Sequence, residues 1–454
     1  MAGRVHGRSA ALLGAAVVCA LVPSSVGGGP ATVASSGDLA AHAGVAGGSG
    51  GSGSAQNAVA ATSGDRAGAG GAAGPVRGAA RGALPAPEVS SGTLTAPGAR
   101  DSAAQRAPAV THREERIATP AGPVTTDVVV ADLRRSSIRA TLLTGASVGE
   151  RATVPVHAER GGTVAAVNGD FFDLARSNAP AGPSVRDGRM LTSAVPPGRR
   201  LAPAVPGSEP GDALTIDAGG TPRLDRLTLV ASAVGPGGTL PIRSLNAYAV
   251  PVGGIGLFTA DWNGDRAAAL CGSDTDRDAP CAPDRVEVVV RDDRVTAVRP
   301  PGSGPIPAGE QILAGRDEGA AALRGLAVGD RVTVRQRVTT GSGAEAETAV
   351  GGSPVLRDGA PVPGLDTASR DPRSAAGVTE DGRLVLLTAD GRDSTSAGLT
   401  LAETAEQLRR AGAVDGVNLD GGGSSTLVYR GQVVNRPSED AQRPVPNAIG
   451  IVEG

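Results

Sequence analysis

The stretch Val417-Asn418-Leu419-Asp420-Gly421-Gly422-Gly423-Ser424-Ser425-Thr426-Leu427-Val428 sets the reading of the chain. An apolar run halts on an acid, three glycines and two hydroxyls follow, and a second apolar run begins. Strand, loop and strand succeed one another without room for a helix. Glycines without Cβ let a ligand or another backbone come close. Their N–H groups, with the hydroxyls of Ser424 and Ser425, suit an anion such as phosphate. A plain tight turn fits the same residues.

Working outward, the flanks keep the β texture. Ala375–Thr379 and Leu384–Thr388, joined through Asp381-Gly382, read as a hairpin. Thr400 and Glu403 form a capping box for a helix with Leu401, Ala405 and Leu408 on one face and Gly412 past its end. Thr426–Tyr429 and Gln432–Asn435 make a further hairpin, and Ala448–Val452 a closing strand. Upstream, strands are expected at 128–131, 138–143, 164–167, 213–216, 227–231, 255–259, 286–290, 295–298 and 331–338. Short helices are expected at 154–159 and 318–324, and 175–210 reads as a loop with a turn at Asp187-Gly188. The expected fold is α+β, a mixed β-rich sheet domain with few helices over 112–454, with a β-rich insertion at about 190–345.

Composition narrows the function. Acids and bases are mixed and nearly balanced at a formal charge of −3, so no basic footprint for nucleic acid exists. Three Phe, two Tyr and one Trp leave few stacking platforms. Arg4 and Arg8 followed by the apolar segment 10–22 predict a signal peptide over 1–26; about thirteen residues are too few to span a bilayer. Residues 27–111, rich in Gly, Ala, Ser and Pro, read as a disordered tether. The implied setting is secreted or envelope-associated, with no stable membrane insertion once the signal is removed. Cys271 and Cys281 remain after the signal, and in an exported chain an even pair predicts a disulfide worth about 3 kcal/mol or less.

Three apolar runs end alike, at Asn168-Gly169-Asp170, Asp390-Gly391-Arg392 and Asn418-Leu419-Asp420-Gly421. Brought together, they supply carboxylates, amides, an arginine and open backbone. Asp420 and Asp390 are the candidate acid–base pair. Arg373 and Arg392 are candidates to grip phosphate oxygens bidentately. Asn168 and Asn418 are assigned to sugar hydroxyls, Gly169 to substrate or phosphate binding, and Gly421, Gly422, Gly423 and Ser424 to the phosphate cradle. No cofactor is required by this chemistry. Calcium is held open at Asp274-x-Asp276-x-Asp278, although Ala279 and Arg285 break the loop pattern, and at Asp261, Asn263 and Asp265. The histidines His112 and His157 form no zinc pattern, and no second glycine completes a serine-hydrolase elbow at Ser424.

Asn168-Gly169-x-Phe171-Phe172, Gly351-Gly352-Ser353-Pro354, Pro372-Arg373-Ser374-Ala375-Ala376-Gly377, Asp390-Gly391-Arg392 and Asn418-Leu419-Asp420-Gly421-Gly422-Gly423-Ser424-Ser425 occur in this order. Together they resemble the phosphodiester glycosidase family, over roughly 120–454. The resemblance implies hydrolysis of the glycosidic bond of a sugar-1-phosphodiester, with a carbohydrate phosphodiester as partner. Ser374 stands where the family often has Thr, and Asp170 where small residues are frequent. Two other readings stay open: a non-catalytic envelope protein binding glycan or teichoic-acid-like polymers, and a P–O-cleaving phosphodiesterase, which would want a metal cluster.

Overall fold

The structure, a computed structural model, describes residues 108–454. The expected signal and nearly all of the tether lie outside the described residues. Order begins slightly before the sequence boundary, with the strand Val110–Thr119. Its His-Arg-Glu-Glu-Arg run hides any apolar alternation. Every residue nevertheless pairs with Gly122–Ala131, and the exposed charges suit an edge strand that must not pair further.

Four sheets build the described region. One of two seven-stranded sheets runs Val110–Thr119, Gly122–Ala131, Leu384–Ala389, Arg373–Thr379, Ala413–Asn418, Ser353–Arg357 and Ala360–Pro361. A five-stranded sheet runs Gln432–Val433, Leu427–Tyr429, Ala165–Asn168, Asn447–Glu453 and Ile138–Thr144. The middle third of the chain makes the other two. One is built on Pro222–Gly235 and Asp212–Ile216, the other on Glu310–Arg316 and Arg285–Arg291. With four short α-helices among the described residues, the fold is α+β and strongly weighted to β.

The region 175–210, read as loop, contains a hairpin of Ser184–Arg186 and Arg189–Thr192. Its turn is the expected Asp187-Gly188, both at positive φ, as a type I′ connection requires. Strands of three and four residues are too short to show periodicity. Thr348–Gly351 and Ser353–Arg357 were also missed. The chain changes sheets between them, at Gly352, where a Cβ would stand 2.7 Å from that of Val417.

The apolar core of the described region falls into several clusters, and one of them spans the sheets. It joins Val129, Leu384, Leu386 and Val417 of the sheet that starts with Val110–Thr119 to Val167, Leu427 and Ile449 of the sheet that holds Ala165–Asn168, and to Phe258, Trp262 and Ile312 of the middle third. Phe258 and Trp262 meet edge to face at 5.0 Å. The helix Leu401–Arg410 has the expected capping box and buries Leu401, Ala405 and Leu408. Leu408 seats where Gly377 and Gly416 leave the sheet bare; a Cβ on Gly416 would stand 2.6 Å from Leu408 Cδ1. Packing of this kind fixes the strands Arg373–Thr379 and Ala413–Asn418, whose ends carry the site.

Candidate active site

The strand ends do converge. The Asp420 N–H donates to Gly169 O (3.0 Å), and Asn168 Nδ2 donates to Asp420 O (2.7 Å). Asn168 Oδ1 accepts from Ser374 Oγ (2.7 Å) and from the Thr426 N–H (3.1 Å). Asn168 is wholly buried, and both of its ends are engaged inside the protein. The sequence assignment of Asn168 to a sugar hydroxyl therefore gives way to a positioning role, in which it ties three strands together behind Asp420. Gly169 lies behind Asp420 as well, where a Cβ would fall 2.1 Å from Asn447 Oδ1. Asn418 is equally buried and donates to Leu419 O (3.0 Å), with its Oδ1 unpartnered.

Burial drives the electrostatics of the two acids. Asp420 is 9% exposed, and loss of water pushes its carboxyl up to about 7. The Ser424 hydroxyl, the Arg443 charge and the Gly421 N–H pull the other way, while the negative Asp170 adds to the rise. Asp390, just past Leu384–Ala389, is pushed up to about 6, again chiefly by burial. The Arg436 N–H donates to its Oδ1 (2.9 Å) and Asn435 contributes a further hydrogen bond; nearby Asp127 opposes ionisation. Two carboxyls pushed up to about 6 and about 7 are suited to proton transfer near neutral pH.

The three glycines admit neighbours more than they form a cradle. Gly421 lies under Pro372 O, and Gly422 accepts the N–H···O bond geometry of a tight 3-10 turn at φ +59°. The N–H groups of Gly422, Ser424 and Ser425 donate to Pro372 O, Gly421 O and Gly422 O, so they are not free for phosphate. Instead Gly422 gives room to Arg392, whose Nη2 would be 3.1 Å from an added Cβ. Gly423 gives room to Glu439 and Arg443 in the same way. What the loop presents is thus guanidinium laid on bare backbone. Arg392 donates through Nε and Nη2 to Asp371 Oδ1 (3.1 and 2.9 Å) while its side chain stays half exposed. Arg373 is different. It is 3% exposed, donating to Leu399 O (2.9 Å) and Ser369 O (3.0 Å), and it organises the loop beneath rather than facing outward.

Sequence reasoning missed several participants. Arg443 donates to Ser424 Oγ (3.4 Å) and pairs with Glu439; it was one arginine in a Pro- and Asp-rich loop with no pattern around it. Asp170 is anchored by Arg200 (2.6 Å) and by the Gly182 N–H (2.7 Å). A Cβ on Gly351 would stand 2.3 Å from Asp170 Oδ2, which explains that motif glycine. His112, read as isolated, pairs through Nε2 with Asp127 Oδ1 (2.8 Å).

The disulfide Cys271–Cys281 is formed. Among the described residues no group of three or more His, Cys, Asp or Glu is placed to hold a metal ion. Of the acids held open for calcium, Asp274 accepts the Val252 N–H, Asp276 the Asp278 N–H, and Asp265 caps a short helix; Asp261 and Asp278 pair with Arg189 and Arg176.

The phosphodiester glycosidase family model matches residues 284–452. The N-acetylglucosamine-1-phosphodiester alpha-N-acetylglucosaminidases of mouse and human are 44% and 43% identical over 70 residues, 15% of this chain. An uncharacterized SPbeta prophage-derived protein of Bacillus subtilis is 35% identical over 86 residues, 19% of this chain. The matches span only 13% of each of these relatives. In fold, the chain is similar to a hypothetical protein from Synechocystis (TM-score 0.62, 23% identity, 76% of this chain and 62% of that one). It is also similar to an exported protein of Burkholderia pseudomallei (TM-score 0.58, 24% identity, 73% and 74%). The segment 284–452, which matches the phosphodiester glycosidase family model, carries Arg373, Asp390, Arg392 and the Asp420 loop.

Proposed function

We propose that the protein hydrolyses the glycosidic bond of a sugar-1-phosphodiester, of the GlcNAc-1-phosphodiester kind, in extracellular or cell-envelope glycans. The observation that carries the reading is the pair of buried carboxyls past the ends of the two strands that flank Arg373–Thr379, Asp420 pushed up to about 7 and Asp390 to about 6, with the half-exposed Arg392 against Gly422. Arg392 holds the phosphate, with Arg443 across the Gly422-Gly423 backbone. Water adds at C1 as the C1–O bond breaks, and the bonding pair leaves with the phosphate oxygen. Asp390, the more readily ionised, takes the proton of the water; Asp420 still holds a proton near neutrality and donates it to the leaving oxygen. The names of the mammalian relatives support the sugar class, and the expected signal supports the extracellular setting.

The test is to incubate the full chain with a GlcNAc-α-1-phosphodiester and identify the products. Free sugar plus phosphomonoester is expected. Sugar-1-phosphate would mean P–O cleavage instead. Binding without turnover across a panel of such diesters would end the enzyme reading in favour of a glycan-binding protein.

A further inference from the structure

A cavity lies among the loops of the middle third, beside the segment that follows Asp170. It encloses about 250 Å³ and is lined by Asp173, Arg176, Arg199, Tyr248, Asp265 and Arg277 together with two alanines. The three guanidiniums are unequally compensated. Arg277 pairs with Asp173 (2.8 Å) and Arg176 with the exposed Asp278 (2.8 Å), while Asp265 is engaged by the N–H groups of Ala267 and Ala268.

Arg199 has no such partner. It is 4% exposed, and its Nη1 donates only to the carbonyls of Cys271 (3.1 Å) and Ser273 (2.9 Å). Its Nε is buried with no hydrogen-bond partner. Asp173 reaches it only through space and is already paired with Arg277, so the buried cation lacks a direct counter-charge, and an unfilled donor on it adds to the cost. The surroundings hold it there nonetheless. The buried Tyr248 hydroxyl donates to Arg199 O (2.6 Å), and the disulfide-closed loop 271–281 wraps the guanidinium so closely that a Cβ on Gly272 would stand 2.7 Å from Nη1.

We propose that this cavity is a separate binding site for a small oxyanion-bearing molecule, a carboxylate or a phosphate ester, whose negative charge completes Arg199. Arg277 and Arg176 add attraction from the sides, and the Tyr248 ring and Ala268–Ala269 wall receive the apolar body. The volume lies below the about 300–1,000 Å³ of pockets for drug-sized ligands, so the ligand is no larger than about one sugar ring. This site does not depend on the chemistry assigned to Asp420.

The experiment is calorimetric titration of the full chain at low ionic strength with inorganic phosphate and, separately, with acetate; the preferred anion identifies the class. A saturable site that persists in the Arg392→Ala variant is expected, since the strand-end arginine offers phosphate a site of its own. Arg277→Gln leaves Asp173 uncompensated in the cavity and weakens binding about tenfold. Arg199→Met abolishes it, and Arg392→Ala at the strand-end site leaves it unchanged. Should Arg199→Met fail to fold, the partly exposed Arg277 still carries the test. Absence of saturable binding by either anion, or an affinity unaltered by Arg277→Gln, overturns the proposal.

Discussion

Asp420 pays for its proton-holding with stability. Its ordinary carboxyl value of 3.8 is raised to about 7 by burial, so the folded chain binds a proton more readily than the unfolded one. Below about pH 4 both states are protonated and the group is neutral in its effect. As pH rises through 4 to 7 the unfolded chain releases its proton first, and the penalty grows toward about 4 kcal/mol above pH 7. Asp420→Asn removes that penalty. The variant is expected to lose turnover by about 10²- to 10⁴-fold, yet to unfold at a higher urea midpoint than the parent at pH 8 and at a similar one at pH 4. A lower midpoint at pH 8 would refute the desolvation argument. If Asp420 gives and Asp390 takes the proton, kcat/KM against pH is bell-shaped, with limbs near about 6 and about 7 that belong to the pair jointly. A profile flat from pH 5 to 8 excludes these roles. The acids were legible in sequence because each ends an apolar run beside glycine. The work of Asn168 was not, since its partners Ser374, Asp420 and Thr426 lie more than two hundred residues away.

At the scale of the element, the loop Gly421–Ser425 was read as a cradle and is instead a seat. Gly422→Ala forces a side chain onto φ +59°, costing about 1–2 kcal/mol, and presses a methyl against the Arg392 guanidinium. The expected outcome is a raised KM with a smaller effect on kcat, measured by steady-state kinetics on the diester; an unchanged KM would separate Arg392 from substrate binding. The helix Leu401–Arg410 was fully legible, because capping box, apolar face and terminal glycine all act within one short segment. The hairpin Ser184–Arg186/Arg189–Thr192 was legible only at its turn. Its strand Ser184–Arg186 is held by pairing with Thr348–Gly351, a contact across sequence that local pattern does not record.

At the scale of the whole molecule, the middle third is tied down by a buried charge group. Glu287 is wholly buried, and Arg266 (2.9 Å), Arg299 (2.8 Å) and the Gly302 N–H (3.0 Å) all donate to it. Burial alone would raise its carboxyl, but these donors outweigh it and hold the group below its usual value. Its stabilisation is therefore present above the unfolded value of 4.5 and is lost as pH falls through the lower folded one. Glu287→Gln leaves Arg266 buried without its anion and is expected to cost about 3–5 kcal/mol at pH 7, read as a fall in the denaturation midpoint. A loss below 1 kcal/mol would show that this group is not what secures the region. Asn447–Glu453 has a further consequence. It pairs with both Ala165–Asn168 and Ile138–Thr144, so it fills the gap between two strands synthesised some three hundred residues earlier. Until that segment has emerged during translation, both early strands present open edges, a condition that invites mispairing. The Asp420 site, which needs Asn168 from the same sheet, forms only once that segment is available to close the sheet.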